Sequence, residues 1–130
     1  MNQYSYEMTN AVLKVLNELP EGLHKKVDMY LGMLEAKGFY LFNPYVDKIE
    51  SYKNLWELRP SFANLEFRMI FYWQERTARF IHAFYERGKK KKNQREYQTA
   101  DMIRNEMIKR RRPNETKIMV LEIVPISFKS

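Results

Sequence analysis

The sequence predicts a single α+β domain, with an N-terminal helical hairpin and a C-terminal helix packed on a small antiparallel β-sheet. Two observations predict this class. Apolar residues recur at helical spacing near both ends of the chain, and the middle holds three short runs rich in aromatic and branched residues. With 130 residues and 45% apolar content, the chain has the material for one core of ordinary size.

In the N-terminal third, apolar and polar residues first alternate, and apolar residues then recur at helical spacing. Tyr4, Tyr6 and Met8 alternate with polar residues, which suits a short first strand. Apolar residues then repeat at helical spacing on both sides of a break at residues 20–22 (PEG), which predicts two helices in a hairpin. Gly38 follows the second helix and is a suitable cap residue. The apolar positions concerned are Val12, Val15, Leu16, Leu19, Leu23, Val27, Tyr30, Leu31 and Leu34.

The middle of the chain predicts successive strands. Residues 55–59 (LWELR), 67–73 (FRMIFYW) and 79–85 (RFIHAFY) have strand composition, and the connections between them are short enough for hairpins. Residues 39–51, which include Asn43-Pro44, have the composition of a surface connection. We therefore expect these strands to form an antiparallel sheet.

A last helix and one further strand are predicted near the C-terminus. Asn93 with Glu96 three positions later has the form of a capping box, which predicts a helix that begins after a lysine run and ends before Pro113. Residues 117–126 are apolar enough for a strand, and Pro125 favours an edge position for it. The apolar face of the helix is predicted to carry Tyr97, Ala100, Ile103, Met107 and Ile108.

Composition bounds the chemistry and the location of the protein. The absence of cysteine excludes disulfides, thiolate metal sites and a cysteine nucleophile, and two histidines are too few for a histidine metal cluster, so we expect no metal and no cofactor. The chain has no run of eighteen apolar residues, and its polar and aromatic start is unlike a leader, so we expect a cytoplasmic protein without membrane contact. We expect residues 1–112 to form the domain and residues 113–130 an extension that can supply an edge strand.

The positive charge is concentrated in one segment. In residues 87–112, eleven Lys and Arg stand against three acids, a local balance of +8, so the remainder of the chain sums to −1 out of a total of +7. Such a block next to aromatic residues favours a polyanionic partner. Nucleic acid is favoured over membrane because no amphipathic insertion face accompanies the charge.

The lysine run at the start of this segment is the strongest indication of an anion-binding surface. Four adjacent ammonium groups repel one another, and the nearest acids, Glu86 and Glu96, are too few to neutralise them. The run also adjoins a predicted helix N-terminus, which favours phosphate. The alternative is a solubilising loop. The predicted RNA-binding residues are Lys89, Lys90, Lys91, Lys92 and Arg95.

Two arginines on the predicted strands are candidate phosphate ligands. Arg68 lies in the centre of a strand, where a guanidinium is costly unless a carboxylate or a bound anion neutralises it. The alternative for Arg68 is an ion pair with Glu57 or Glu66. Arg59 ends the preceding strand, and its alternative is a surface position at a turn. If both arginines face the same side, they form a basic hollow that can hold an RNA backbone beside stacking Trp or Tyr rings.

His82 and Tyr97 complete the set of candidate residues. His82 has a suitable intrinsic pKa for acid–base chemistry, but strand alternation places it on one face with Phe80 and Phe84, and a hydrogen-bonded core histidine is the alternative. Tyr97 lies in the first turn of the last predicted helix. It can stack on a base or reach a phosphate, and helix-to-sheet packing is its alternative.

The order of these motifs resembles a known family over residues 4–110. A helical hairpin, LWELR at 55–59, FRMIFYW with Arg68, FIHAF at 80–84, a lysine-rich loop and REYQTA at 95–100 are similar to the HigB-type, phage-derived branch of the RelE/ParE toxin superfamily. The resemblance implies a RelE-like fold and a metal-independent endoribonuclease that cuts mRNA in the ribosomal A site. It also implies a cognate antitoxin, expected to be a helix-turn-helix protein encoded beside it.

The resemblance also implies roles for individual residues. In such enzymes the ribose 2′-hydroxyl attacks the adjacent phosphate and leaves a cyclic phosphate. Arg68 would hold the scissile phosphate, Arg59 and Arg87 would contact phosphate nearby, and Tyr97 or His82 would assist proton transfer or stacking. The lysine run would bind the RNA backbone. Such chemistry needs mainly positioning and electrostatic stabilisation, so it is compatible with the absence of cysteine and of a metal cluster.

Three other functions remain open on the sequence. A gyrase-targeting, ParE-like toxin has the same architecture and does not cleave RNA. A basic module of phage origin could bind nucleic acid without catalysis. The third alternative is a degenerate phage remnant.

Overall fold

The computed structural model describes residues 3–86, 88, 90–110 and 123–125, with the side chains of 90–92 and 123–125 outside that description. It is an α+β fold with three helices and one mixed sheet, so the predicted class is confirmed. No helix in the described part of the chain combines the length and the apolar character that a bilayer span requires. In chain order the elements are β1 (Ser5–Thr9), α1 (Asn10–Asn17), α2 (Glu21–Lys37), a 3-10 turn (Gly38–Tyr40), β2 (Val46–Lys48), β3 (Trp56–Leu58), β4 (Ser61–Phe62), β5 (Leu65–Gln74), β6 (Thr77–Tyr85), α3 (Lys90–Arg110) and β7 (Ile123–Pro125).

The sheet has the strand order β2-β3-β5-β6-β1-β7, with β4 paired to β5. Strands β3, β5 and β6 pair antiparallel as predicted, but β1 runs parallel to β6, with Tyr6 opposite Ala78. The prediction of an antiparallel sheet is therefore confirmed for these three strands and wrong for the pairing of β1, which makes the sheet mixed. A parallel pair needs a long crossover, and the chain between β1 and β6 supplies one.

Strand β1 confirms the predicted short first strand, and the fold therefore opens with this strand before the two helices. The side chain of Thr9, at the end of β1, accepts a hydrogen bond from the backbone N–H of Val12 (3.3 Å) and caps α1. Gly38 ends α2 as predicted, and its N–H bonds the carbonyl of Leu34. The surface connection predicted for residues 39–51 was partly wrong, because it contains β2, which pairs with β3.

Both faces of the sheet are buried. Phe67, Met69 and Phe71 point to the face covered by α1 and α2, while Ile70 and Tyr72 point to the face covered by α3. Sequence alternation identified the first face as the core but did not show that α3 covers the second. Arg68 belongs to that second face and is buried with it.

A β-bulge shifts the alternation in β6. Ile70 is opposite His82, whereas the next residue of β5, Phe71, is opposite Phe80, so Ile81 is the extra residue. The bulge places Phe80 in the core under α1 and α2. The expectation that Phe80 shares a face with His82 was therefore wrong, while Phe84 does lie beside the histidine, with ring centroids 5.8 Å apart.

Gly32 inside α2 and Gly38 at its C-terminal cap allow two substitutions with opposite expected effects on stability. Gly38 has a φ of +51°, and an added Cβ would lie 2.2 Å from the ring of Tyr4, so Gly38→Ala is expected to cost at least about 2 kcal/mol. Gly32 lies inside α2 with open space around it, so Gly32→Ala is expected to stabilise the fold by about 0.5–1 kcal/mol. Urea unfolding of both variants tests this, and equal effects would contradict the described contact between Gly38 and Tyr4.

Candidate functional site

A buried carboxylate lies between the two predicted arginines. Glu57 of β3 is opposite Ile70 of β5, so its side chain shares the α3 face of the sheet with Arg68, two residues before Ile70. Its Oε1 lies 3.8 Å from Nε of Arg68, and its Oε2 lies 3.7 Å from Nε of Arg59. Arg59, the first residue after β3, and Arg68 of the neighbouring β5 therefore converge on one carboxylate.

Further carboxylates contact the outer sides of the two arginines. Arg68 Nη1 lies 3.6 Å from Oε1 of Glu66, and Arg59 Nη1 lies 3.4 Å from Oδ2 of Asp47. The alternative stated for Arg68, an ion pair with Glu57 or Glu66, is thus present with both partners. We call Arg59, Arg68, Glu57, Glu66 and Asp47 the arginine cluster. Its two cations and three carboxylates sum to −1, so an incoming anion has to displace a carboxylate.

Tyr97 connects α3 to this cluster. Its hydroxyl donates a 2.9 Å hydrogen bond to Oε1 of Glu57. Burial raises the pKa of Glu57, and the hydrogen bond from Tyr97 with the charges of Arg68 and Arg59 opposes that rise in part. Burial also raises the pKa of Tyr97, reinforced by the charge of Glu57, so the phenol is a hydrogen-bond donor at neutral pH.

The cluster opens to solvent on one side. Arg68 and Glu57 are buried, whereas the side chains of Arg59 and Glu66 are 31% and 52% exposed. An anion arriving from solvent therefore meets Arg59 first and competes with Glu66 for Arg68. Because Glu66 is more than half exposed, its ion pair with Arg68 is weak and its displacement costs little.

His82 forms a second ionisable pair on the same face. Its Nε2 lies 2.6 Å from Oε1 of Glu96 in α3. The register places Glu57, Ile70 and His82 in one row across β3, β5 and β6. His82 is therefore two strand spacings from Glu57, about 10 Å between their backbones, and is not part of the arginine cluster.

Helix α3 begins earlier than the sequence analysis predicts. It starts at Lys90, so Lys90, Lys91 and Lys92 lie in its first turn and the capping box at Asn93 was wrong. Asn93 instead donates a hydrogen bond to Glu86 (3.1 Å), and Glu96 contacts the histidine. Lysine is a good helix former, which explains the early start. The first turn of α3 contains no acidic residue.

The remaining predicted residues have separate positions. Arg95 is an exposed residue of α3. Arg87 and Lys89 lie outside the described residues, as do the side chains of the three lysines that begin α3. Across the described ranges, no three or more His, Asp and Glu side chains are grouped so that they could hold a metal ion.

Sequence reasoning identified Glu57 only as a structural partner of Arg68. The signal for a larger role was present in LWELR, where strand alternation puts Glu57 and Arg59 on one face and Leu58 on the other. What the sequence could not provide is the register that sets Arg68 beside both. It also could not show that the hydroxyl of Tyr97 reaches Glu57 from a helix forty residues away.

Comparison with known proteins identifies one related family. The family model described as phage derived protein Gp49-like (DUF891) matches residues 14–105 of the 130. That range contains the whole arginine cluster, His82 and Tyr97. Searches of curated proteins and of solved structures give no match.

Removal of the Tyr97 hydroxyl tests the electrostatics of the cluster. In Tyr97→Phe, Glu57 loses a hydrogen bond that favours its charged form, so the pKa of Glu57 is expected to rise further and the fold to lose about 1–2 kcal/mol at neutral pH. Because the raised pKa lies above the unfolded value, this deficit should shrink as pH falls through it and Glu57 is protonated. Urea unfolding of both proteins between pH 4 and pH 8 measures the deficit, and a pH-independent difference would contradict the assignment.

Proposed function

Because the chain belongs to the Gp49-like family of phage-derived proteins, which is a RelE-like toxin family, we propose that it is the toxin of a type II toxin–antitoxin system. Its proposed activity, as in the HigB-type branch, is metal-independent cleavage of mRNA on the ribosome, in the cytoplasm. Its proposed partners are ribosome-bound mRNA and a cognate antitoxin with a helix-turn-helix fold.

The observation that carries the proposal is the convergence of Arg59 and Arg68 on Glu57. Two guanidiniums beside one carboxylate supply what a 2′-hydroxyl attack on a phosphodiester needs, namely cations for the phosphate and a base for the attacking hydroxyl. The raised pKa of Glu57 brings this base closer to neutral pH. Glu57 belongs to β3 and Arg68 to the neighbouring β5, and Arg59 directly follows β3, so the buried sheet holds these backbones in place.

The proposed reaction begins when the scissile phosphate replaces Glu66 at Arg68. Glu57 accepts the proton of the 2′-hydroxyl as the 2′-oxygen forms a bond to phosphorus. The phosphorus–O5′ bond then breaks, leaving a 2′,3′-cyclic phosphate and a 5′-hydroxyl. As Glu57 becomes neutral, the charges of Arg59 and Arg68 are released to stabilise the negative charge on the phosphorane.

The proton for the leaving 5′-oxygen is assigned to His82. Glu96 orients its ring through the 2.6 Å contact between Oε1 and the histidine Nε2. His82 lies on the same face of the sheet as Glu57, in the same row across β3, β5 and β6, which supports its assignment to this reaction. Tyr97 is a positioning residue here, because it holds the carboxylate of Glu57 rather than the substrate.

The first turn of α3 is the proposed backbone-binding surface for RNA. The positive charge of residues 87–112, a local balance of +8, favours contact with RNA phosphates. Arg87, Lys89 and Arg95 extend the same basic segment on either side.

Cellular readouts separate this function from its alternatives. An mRNA endoribonuclease stops translation and leaves cuts in ribosome-bound messages, whereas a gyrase-targeting toxin induces DNA breaks. A binding module or an inactive phage remnant does neither. Primer extension on messages isolated from ribosomes, with a parallel assay for DNA breaks after induction of the gene, distinguishes them.

Substitutions of the two residues that form one ion pair should have opposite effects. Arg68→Ala is expected to lower cleavage about 10²–10³-fold, since it removes a charge from the phosphate position. Glu66→Gln is expected to maintain or increase cleavage, since it removes the carboxylate that competes with phosphate. Primer extension on ribosome-bound messages measures both, with Lys25→Ala in the exposed part of α2 as control.

A merely structural ion pair would give another result. Glu66→Gln and Arg68→Ala would then reduce activity together, in proportion to lost stability. If Arg68→Ala fails to fold by circular dichroism, Arg68→Lys replaces it, because an ammonium retains the charge without the two-pronged geometry of a guanidinium. Full activity in a folded Arg68 variant would exclude this residue from the reaction.

Neutralising the lysine run tests the backbone-binding surface. Replacing Lys89, Lys90, Lys91 and Lys92 together with Gln should weaken RNA binding and lower the slope of log affinity against log salt by about 3, because each phosphate contact on a single strand contributes about 0.7. Fluorescence anisotropy with a labelled single-stranded RNA measures the slope. Lys25→Gln with Lys26→Gln is the control, and an unchanged slope in the fourfold variant would favour a solubilising role.

A further inference from the structure

The segment after α2 exposes three aromatic side chains within four residues. Phe39, Tyr40 and Phe42 are 46%, 72% and 66% exposed. Single exposed apolar residues are ordinary, but a contiguous group on a rim is typical of a binding surface. These rings lie outside the arginine cluster, and the reaction proposed above assigns them no role.

An apolar pocket adjoins the exposed rings. Its volume is about 190 Å³, below the range of about 300–1,000 Å³ typical of sites for drug-sized ligands, so it has room for one ring system. The ring of Phe39 packs edge-on against Trp73, with centroids 4.7 Å apart. The pocket is lined by Gly38, Phe39, Leu41, Val46, Trp56 and Trp73. We call these residues the aromatic pocket; the exposed Tyr40 and Phe42 alternate with its lining residues Phe39 and Leu41 along the chain, at its margin.

Two cations lie over the rings at this pocket. Lys48 Nζ is 5.5 Å from the ring centroid of Trp56, and the guanidinium of Arg76 is 5.8 Å from that of Phe39. Aromatic rings with cations at their margin are the combination that binds single-stranded nucleic acid, because bases stack on the rings and phosphates approach the cations. The apolar lining provides stacking without hydrogen-bond readout of the base.

The aromatic pocket and the arginine cluster are adjacent in sequence at the β2 edge of the sheet and lie on its opposite faces. Trp56 and Glu57 are consecutive in β3, so their side chains point to opposite faces of the sheet. Phe42 precedes Asn43, and the side-chain oxygen of Asn43 accepts a 3.4 Å hydrogen bond from Arg59. The exposed ring is therefore one residue away from a direct contact of the cluster, where β2 forms the edge of the sheet.

We infer that the aromatic pocket stacks a base of the single-stranded RNA whose phosphate lies at Arg59 and Arg68. The inference rests on the proposed RNA substrate and not on its cleavage. Affinity from stacking is tolerant of sequence, because every base presents a π-face. The pocket would therefore add affinity and direction along the strand rather than a base preference.

A DNA oligonucleotide separates binding from cleavage. The probe is a fluorescein-labelled (dA)₁₂ strand, which lacks the 2′-hydroxyl and so cannot undergo the proposed reaction. Both tryptophans of the chain line the pocket, so their fluorescence should decrease as unlabelled (dA)₁₂ binds to the full-length protein. Affinity is measured by anisotropy over a range of salt concentrations.

The test variant is Tyr40→Ala with Phe42→Ala, both at exposed positions. It should bind (dA)₁₂ roughly tenfold more weakly with an unchanged salt slope, because it removes stacking and no phosphate contact. Phe62→Ala is the matched control, since this phenylalanine is 44% exposed on β4 and lies outside the pocket. Its affinity should equal that of the unmodified protein.

Two results would overturn the inference. One is equal affinity of the test variant and the unmodified protein for (dA)₁₂, with no tryptophan response. The other is a dimer, seen by analytical ultracentrifugation, that the test variant loses while its (dA)₁₂ affinity stays unchanged, which would assign the surface to pairing between copies. Absence of mRNA cleavage with intact stacking would reject the proposed reaction and retain the pocket as a binding site.

Discussion

The burial of Glu57 between Arg59 and Arg68 is the interaction on which the functional account depends. A lone carboxylate on the α3 face of the sheet would be costly, and so would a lone guanidinium there. Together the carboxylate and the guanidiniums form a charge cluster. Glu66 lies at its outer side and is more than half exposed, so its ion pair with Arg68 is weak. Helix α3 completes the arrangement, because it covers this face and donates the hydroxyl of Tyr97 to Glu57. The same contacts thus hold α3 on the sheet and place a buried carboxylate beside two cations.

Local pattern predicted the elements of the fold better than their pairing. The spacing of apolar residues located α1 and α2, and the aromatic runs located β3, β5 and β6. The parallel pairing of β1 with β6 joins residues about seventy positions apart, and no local signal encodes it. The bulge at Ile81 is equally hidden, because a single extra residue has no distinct composition. Because of this bulge, Phe80 lies on the face covered by α1 and α2, whereas strict alternation predicts the face of His82.

The candidate site shows the same division between residue type and geometry. The sequence drew attention to Arg59, Arg68, His82 and Tyr97 because their residue types suit phosphate chemistry. It predicted Glu57 only as a partner that neutralises Arg68. The raised pKa of Glu57 and its hydrogen bond with Tyr97 depend on burial and on the position of α3, which the sequence does not show. The early start of α3 was missed for a related reason. Helix propensity of the lysines outweighed a capping pattern that began one turn later.

The most direct test of the account is a carboxylate titration of Glu57 by carbon NMR, with and without a bound RNA strand that carries a 2′-deoxy sugar at the cleavage position. Phosphate bound at Arg59 and Arg68 brings a negative charge close to Glu57 and neutralises the cations that lower its pKa. The account therefore predicts that RNA binding raises the pKa of Glu57 above its already raised value in the free protein. An unchanged pKa in the saturated complex would mean that the phosphate binds elsewhere, and would contradict the account.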